Sequence, residues 1–124
     1  MANIETSLKE AMTIEGAIGV ALVDYSSGLT LGVLGGTSTM DMNVAAAANT
    51  DVVRAKMRAV EMLGLPEKIE DILITLETQY HLIRLIEKRR DSDAFFLYLA
   101  LSKGRANLGL ARHQLRKIEA DLDV

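Results

Sequence analysis

Cysteine is absent from the 124 residues of this chain. Disulfide frameworks, thiolate nucleophiles and thiol-ligated metal sites are therefore excluded. The longest apolar runs are much shorter than the ~20 residues needed to cross a bilayer. The first residues, MANIETSLKE, lack the basic stretch and apolar core of a signal peptide. We therefore expect a cytoplasmic location without membrane insertion.

Positive charge is also scarce. The chain has 14 lysines and arginines against 17 acidic residues, giving a formal net charge of −3. Nucleic-acid binding requires a concentrated basic surface. The one basic run, Lys88-Arg89-Arg90, falls at a predicted turn, where a solvated loop explains it. Nucleic acid is therefore not an expected partner.

Residue groupings that carry catalysis are missing as well. His81 and His113 are far apart in sequence and lack a metal-binding spacing. Ser26 and Ser27 lie in a predicted turn, and the glycines before Ser38 lack the Lys-Ser/Thr pair of a phosphate-binding loop. No pair of acidic residues has to be held together as in an acid–base site. We expect no catalytic residue, metal ion or cofactor, and hence no enzyme.

The sequence does have a regular alternation of helix and strand patterns. Apolar strand-like runs occur as a pair and then as a group of three, with amphipathic patterns of helical period before, between and after them. The predicted elements are helix 4–12, strands 17–25 and 29–33, helix 41–63, strands 69–77, 80–88 and 93–101, and helix 108–122. This order, α-β-β-α-β-β-β-α, predicts one α+β domain over residues 1–124.

The first predicted strand is apolar on both faces. Ile18, Val20 and Leu22 are expected on one face, and the small residues at 17, 19 and 21 on the other. Something must therefore cover each side of the sheet, and the small face lets a helix approach closely.

The middle helix has a wide apolar surface. The 3.6-residue repeat places its main stripe along Met42, Ala45, Ala46, Asn49, Val53, Met57, Val60 and Leu63. Val44, Val52 and Ala59 extend that stripe sideways. A helix that is apolar over so much of its girth usually packs against two surfaces. The pattern favours contact with a second subunit, and burial against the chain's own sheet alone is the alternative.

Taken in order, these segments resemble the roadblock/dynein-light-chain family, especially its small stand-alone bacterial members. The resemblance covers nearly the whole chain. It rests on the opening helix, the hairpin GVALVDYSSGLTLGVLGG, the helix AAAANTDVVRAK, and the segments LITLETQYHLIRLI and FFLYLALSKGRANLGLARHQL. It implies an α/β sandwich: a profilin-like five-stranded antiparallel sheet with the middle helix on one face and the two terminal helices on the other.

The resemblance also implies a homodimer, in which the middle helices lie side by side and the third strands, near 68–78, pair edge to edge. Members of the family bind small Ras-like GTPases or act as scaffolds, and some bacterial ones stimulate GTP hydrolysis by a partner. The expected dimer interface comprises Met42, Ala45, Ala46, Asn49, Val53, Met57, Ile72, Ile74 and Leu76. On the polar side of the middle helix, Arg54, Arg58 and Glu61 are candidate partner contacts.

A small-molecule sensor is the alternative function, because a sheet flanked by helices can hold a ligand between its layers. Such a site needs a pocket with a few convergent polar groups. The apolar strands carry few polar groups, which makes this alternative the weaker one.

Overall fold

The computed structural model describes residues 2–86 and 94–123 and shows the predicted order of elements. The basic run at Lys88-Arg89-Arg90 lies outside the described residues. The third strand is shorter than the predicted strand over 69–77. The elements are α1 Ile4–Met12, β1 Ala17–Asp24, β2 Leu29–Gly35, α2 Met42–Met62, β3 Asp71–Thr75, β4 Gln79–Ile86, β5 Phe95–Ser102 and α3 Leu108–Asp121.

Local sequence signals set the ends of the helices. Side-chain oxygens of Asn3, Asp41 and Asn107 accept hydrogen bonds from early backbone N–H groups of α1, α2 and α3, which satisfies donors that have no partner within the helix. Gly64 follows the last residues of α2 with φ +69°, a conformation that favours glycine. The expected caps of α1 and α2 are thereby confirmed.

The five strands form one antiparallel sheet in the order β2-β1-β5-β4-β3. β5 is the central strand, and six of its residues, 96–101, are fully buried. Strands β2 and β3 are the two edges. The continuous apolar run of β5 is explained by this position, because a central strand is covered on both faces.

Helices cover both faces of the sheet, as the α/β sandwich predicts. One core lies between the sheet and helices α1 and α3, around Leu8, Leu99 and Leu115. The other core lies between the sheet and α2, around Val53 and Phe96. The profilin-like arrangement, with one helix on one face and two terminal helices on the other, is confirmed.

A register shift in β1 changes which face its first residues reach. The pairing of β1 with β5 is irregular between Ala17 and Gly19. Val20 packs toward α1 and α3, whereas Ile18 packs toward α2, so the prediction that both share a face is wrong. The expected close approach of a helix occurs at Gly19, where an added Cβ would lie 2.5 Å from the sulfur of Met42 in α2.

Candidate functional site

The two faces of the sheet are covered unequally. Five strands about 4.8 Å apart span roughly 24 Å, whereas one helix with its side chains is about 10 Å wide. On one face, α1 packs on β1 and β2, while α3 packs on β4. On the other face α2 alone packs, mainly on β1 and β2. We call the β4–β3 part of this second face the open half-face.

Exposure on the open half-face increases toward the edge of the sheet. Ile83 of β4 is buried, Ile72 and Ile74 of β3 are half-buried, and Leu76 just after β3 is 43% exposed. Three of these residues, Ile72, Ile74 and Leu76, are the strand residues of the predicted dimer interface. The structure places them together at an unpaired sheet edge.

The predicted main stripe of α2 faces mostly inward. Met42, Ala46, Asn49 and Val53 are buried against the chain's own sheet. Ala45 is half-buried and Met57 is 38% exposed. The side chains of these four buried residues are already packed within their own chain and are not available to a second subunit. A second subunit has to use another side of this helix.

A second apolar stripe runs along the exposed flank of α2. Val44 is 65% exposed, Val52 36% and Met62 81%. The members of this outer stripe are Val44, Ala48, Val52, Ala55, Ala59 and Met62. Their spacing of four, four, three, four and three residues is the spacing of a seam between two closely packed helices. From the sequence, Val44, Val52 and Ala59 were predicted only as a sideways extension of the main stripe. The alternation of four- and three-residue steps is the sequence signal that identifies all six members of the outer stripe.

The polar flank of α2 is partly used within the chain. Arg54 donates from Nε to the carbonyl oxygen of Tyr25 and from Nη2 to that of Ser26, each at 2.8 Å. It thereby holds the β1–β2 turn against α2. Arg58 and Glu61, the other two candidate partner contacts, are exposed.

The same turn is stabilised by Asp24. Its Oδ1 accepts from the Ser26 backbone N at 2.9 Å and from the Ser26 hydroxyl at 2.6 Å. The hydroxyl and backbone hydrogen bonds hold the pKa of the Asp24 carboxyl below its ordinary value. Ser26 therefore has a structural role in the turn, in agreement with the sequence reading.

A groove of about 380 Å³ lies between the N-terminal half of α2 and strands β4 and β5. Its lining includes Val44 and Ala45 and the polar side chains of Asn49, Tyr98 and His81. We call it the His81 groove. The Tyr98 hydroxyl lies 3.1 Å from His81 Nδ1, and His81 Nε2 lies 2.8 Å from Gln79 Oε1.

Burial shifts the pKa values of the two titratable side chains Tyr98 and His81 in the His81 groove. It raises the pKa of Tyr98 to about 12, with an interaction between Tyr98 and Asn49 acting in the opposite direction. It also lowers the pKa of His81 below the ordinary histidine value. Near neutral pH both side chains are therefore uncharged.

A second cavity of about 410 Å³ lies beneath the C-terminal half of α2. Met57, Val60 and Ile69 contribute its apolar wall, and Glu61 and Lys68 are among its charged residues. Its size is within the range of small-molecule sites.

Two ion pairs fasten α3 to the far half of the sheet. Arg112 donates from Nη2 and Nε to the two carboxylate oxygens of Asp71 in β3, at 2.7 and 3.0 Å. Arg84 of β4 lies 3.3 Å from Glu119 of α3. Helix α3 thus closes over β3 and β4 on the face opposite to the open half-face.

Across 2–86 and 94–123, no group of three or more histidine, aspartate or glutamate side chains is placed to hold a metal ion. Within the same ranges, every helix is too short or too polar to cross a membrane.

Comparison with solved structures identifies the fold. A roadblock/LC7 domain from Streptomyces avermitilis superposes with a TM-score of 0.77 at 9% identity, covering 96% of this chain and 93% of that one. MglB from Myxococcus xanthus gives 0.73 at 19% identity, covering 93% and 84%. A structure described as MglB with a tetrameric arrangement gives 0.77 at 15% identity, covering 93% and 81%.

No protein-family model and no curated protein matches this sequence. The structural likeness extends over nearly the whole chain, although few residues are identical. The chain therefore has the roadblock/LC7 fold.

Proposed function

We propose that this chain is a single-domain, non-enzymatic homodimer in the cytoplasm that regulates or scaffolds a small Ras-like GTPase. The observation that supports this most strongly is the half-covered sheet. The outer stripe of α2 is accessible to water, and the apolar residues of the edge strand β3 on the same face of the sheet are only half-buried; accessible apolar surface marks protein interaction sites. The roadblock fold supplies the expected class of partner.

A second copy of the chain fits this surface. A two-fold axis perpendicular to the sheet, beside β3, places both α2 helices on the same side and runs them in opposite directions. The outer stripe is then self-complementary, as a two-fold interface requires. The expected pairs are Val44 with Met62, Ala48 with Ala59, and Val52 with Ala55 of the second copy. The small residues in the middle allow the helices to approach closely.

Strand β3 supports the same arrangement. It is an edge strand with unpaired backbone groups, and an exposed edge of this kind promotes unwanted pairing. Its apolar residues Ile72 and Ile74 are half-buried in the single chain. Pairing with β3 of a second copy would give the backbone groups of this edge hydrogen-bond partners. It would also bury Ile72 and Ile74 further.

The regulatory mechanism requires only binding. A partner that binds one nucleotide state of a GTPase more tightly shifts the GTPase toward that state by the difference in binding free energy. A tenfold preference corresponds to about 1.4 kcal/mol. Arg58 and Glu61 lie on the polar side of α2, with Arg58 bordering the outer stripe, and are the proposed contacts for the GTPase.

Binding to a purified Ras-like GTPase from the same genome, loaded with GDP or with a non-hydrolysable GTP analogue, tests this function. We expect binding that differs between the two states and that weakens about tenfold in Arg58→Glu, because the substitution reverses a contact charge. Lys117→Glu on α3 makes the same charge change on another surface and should leave binding unchanged. Absence of binding in both nucleotide states would remove the GTPase proposal.

The cavity beneath α2 is the observation that favours the second candidate function, a small-molecule sensor. Its volume of about 410 Å³ suits a small apolar ligand. A sensor should be stabilised by one compound class in a thermal-shift screen of metabolites, whereas a purely protein-binding module should not respond.

A further inference from the structure

Positive charge is concentrated along helix α3 and the turn before it. Residues 94–118 include five lysines and arginines and no acidic residue, although the whole chain has 17 acidic residues against 14 basic ones. All five are exposed. We call them the basic face, and its members are Lys103, Arg105, Arg112, Arg116 and Lys117.

Helix α3 directs its basic side chains away from the sheet. Its buried residues, Ala111, Leu115 and Ile118, belong to the core shared with α1. At 3.6 residues per turn, Arg116 and Lys117 lie on the opposite side of the helix. Helix α2 packs on the other face of the sheet, so the basic face is separate from the outer stripe and from the proposed GTPase contacts.

Most of this charge is not neutralised by the chain itself. Arg112 is paired with Asp71 at 2.7 Å. Lys103 donates to a backbone carbonyl oxygen at 3.5 Å and lies 5.8 Å from the centre of an aromatic ring, contacts that leave its charge unpaired. Within 2–86 and 94–123, the three other members have no ion-pair partner. Glu10 of α1 borders the same small cleft as Lys117 but does not pair with it.

The stability of α3 does not explain this arrangement. The helix dipole favours acidic residues in the first turn and basic residues in the last one. In α3 the order is reversed: Lys103 and Arg105 precede the capping residue Asn107, and the last turn carries Glu119 and Asp121. A charge order that does not favour the helix points to a contact outside the chain.

The shape and composition of the basic face fit the surface of an anionic bilayer. The cleft between α1 and α3 has a volume of about 150 Å³, which is too small for an ordinary small-molecule site. Helix α3 has no phenylalanine, tyrosine or tryptophan on which nucleic-acid bases could stack. It carries one exposed large apolar residue, Leu110, and an exposed leucine among cations suits the headgroup region of a membrane.

We propose that the basic face binds this chain to the surface of membranes that contain anionic phospholipids. Clusters of about four to eight lysines and arginines on an amphipathic helix are typical of such binding. Neither the dimer nor the GTPase contact is required for it. The attraction acts between exposed charges, so it should weaken as the salt concentration rises. Each unpaired lysine or arginine near the lipid should strengthen binding about fivefold.

Co-sedimentation of the full chain with lipid vesicles tests this proposal. Vesicles of phosphatidylcholine with roughly one third phosphatidylserine should bind the chain at low salt and release it at high salt, whereas vesicles of phosphatidylcholine alone should not bind it. Equal binding to both kinds of vesicle, or binding to neither, would overturn the proposal.

Charge reversal locates the contact. Lys117→Glu should weaken vesicle binding at least about fivefold, and adding Arg116→Glu should weaken it about fivefold further. The matched control is Lys56→Glu, which makes the same charge change at an exposed position on α2 and should leave vesicle binding unchanged. Equal losses in Lys117→Glu and Lys56→Glu would show that overall charge, not the basic face, controls binding.

Two soluble polyanions test the choice of partner. Poly-glutamate represents an acidic protein segment, and a single-stranded DNA oligonucleotide represents nucleic acid. At the same low salt, binding to either one by a chain that does not bind the anionic vesicles would overturn the membrane proposal in favour of that partner. Since Lys117→Glu should leave GTPase binding unchanged, the membrane and GTPase proposals can fail separately.

Discussion

Both faces of this sheet carry an apolar core, yet helices cover the two faces unequally. On the α1–α3 face two helices span the full width, and ion pairs fasten α3 to β3 and β4. On the α2 face a single helix leaves the β3 edge uncovered. The difference is one missing helix, which the proposed dimer supplies from the second copy.

This comparison separates two uses of apolar residues. On the α1–α3 face they stabilise the fold of the single chain, because water is already excluded. On the outer stripe and at Leu76, beside the edge strand β3, they remain accessible to water in the single chain and are available for association. Substitutions on the α1–α3 face should therefore lower the free energy of unfolding, whereas substitutions on the outer stripe should weaken dimerisation.

The largest expected effect is on the α1–α3 face. Leu115 is fully buried between α3 and the sheet, so Leu115→Ala should lower the free energy of unfolding by about 2–5 kcal/mol, since it leaves a cavity. The matched variant Val52→Ala lies on the outer stripe, and in the monomer it should change stability by less than about 0.5 kcal/mol.

Urea unfolding at chain concentrations below the dimer dissociation constant measures both values. Equal destabilisation by the two variants would show that the outer stripe contributes as much to the stability of the single chain as the core beneath α3.

A smaller effect is expected at the ion pair that seals the far half of the sheet. The side chains of Arg112 and Asp71 are 43% and 10% exposed and make two hydrogen bonds. Arg112→Ala should cost about 1 kcal/mol of stability, because a bidentate pair is stronger than an ordinary surface pair but remains partly screened.

Lys9→Ala provides the control for that measurement. It removes the pair with Glu5, in which both side chains are largely exposed, and should leave urea stability unchanged. The sealing role of the Arg112 pair would be contradicted by a loss no larger than that of Lys9→Ala.

Much of the fold was predictable because the signals are local. The caps Asn3 and Asp41, the glycine after α2 and the apolar run of β5 depend only on neighbouring residues and strand or helix period. The faces of β1 were less predictable. The irregularity between Ala17 and Gly19 arises in pairing with a strand some 80 residues away in sequence, which no local pattern encodes.

The site was harder to predict for a similar reason. Helix α2 carries two apolar stripes, and the period alone does not say which of them faces the sheet. In the structure the stripe with Met42, Ala46, Asn49 and Val53 faces the sheet, and the missing side chain of Gly19 lets Met42 lie directly on β1. The contact between Tyr98 and His81 joins β5 to β4, so it is visible only once the sheet register is known.

Disulfide trapping tests the central claim, that a second α2 covers the open half-face. The chain has no cysteine of its own, so cysteines introduced at chosen positions report only the chosen contact. A mixture of Val52→Cys and Ala55→Cys chains, one of them tagged, brings together two positions that the antiparallel pairing places opposite each other. Disulfide formation requires Cα atoms within about 7 Å.

Under mild oxidation this mixture should form a covalent mixed dimer in high yield. A mixture of Val52→Cys with Arg58→Cys, whose cysteine lies on the polar flank of the same helix, should not. Absence of the mixed dimer in the first mixture, or equal yields in both, would contradict the pairing of α2 along its outer stripe.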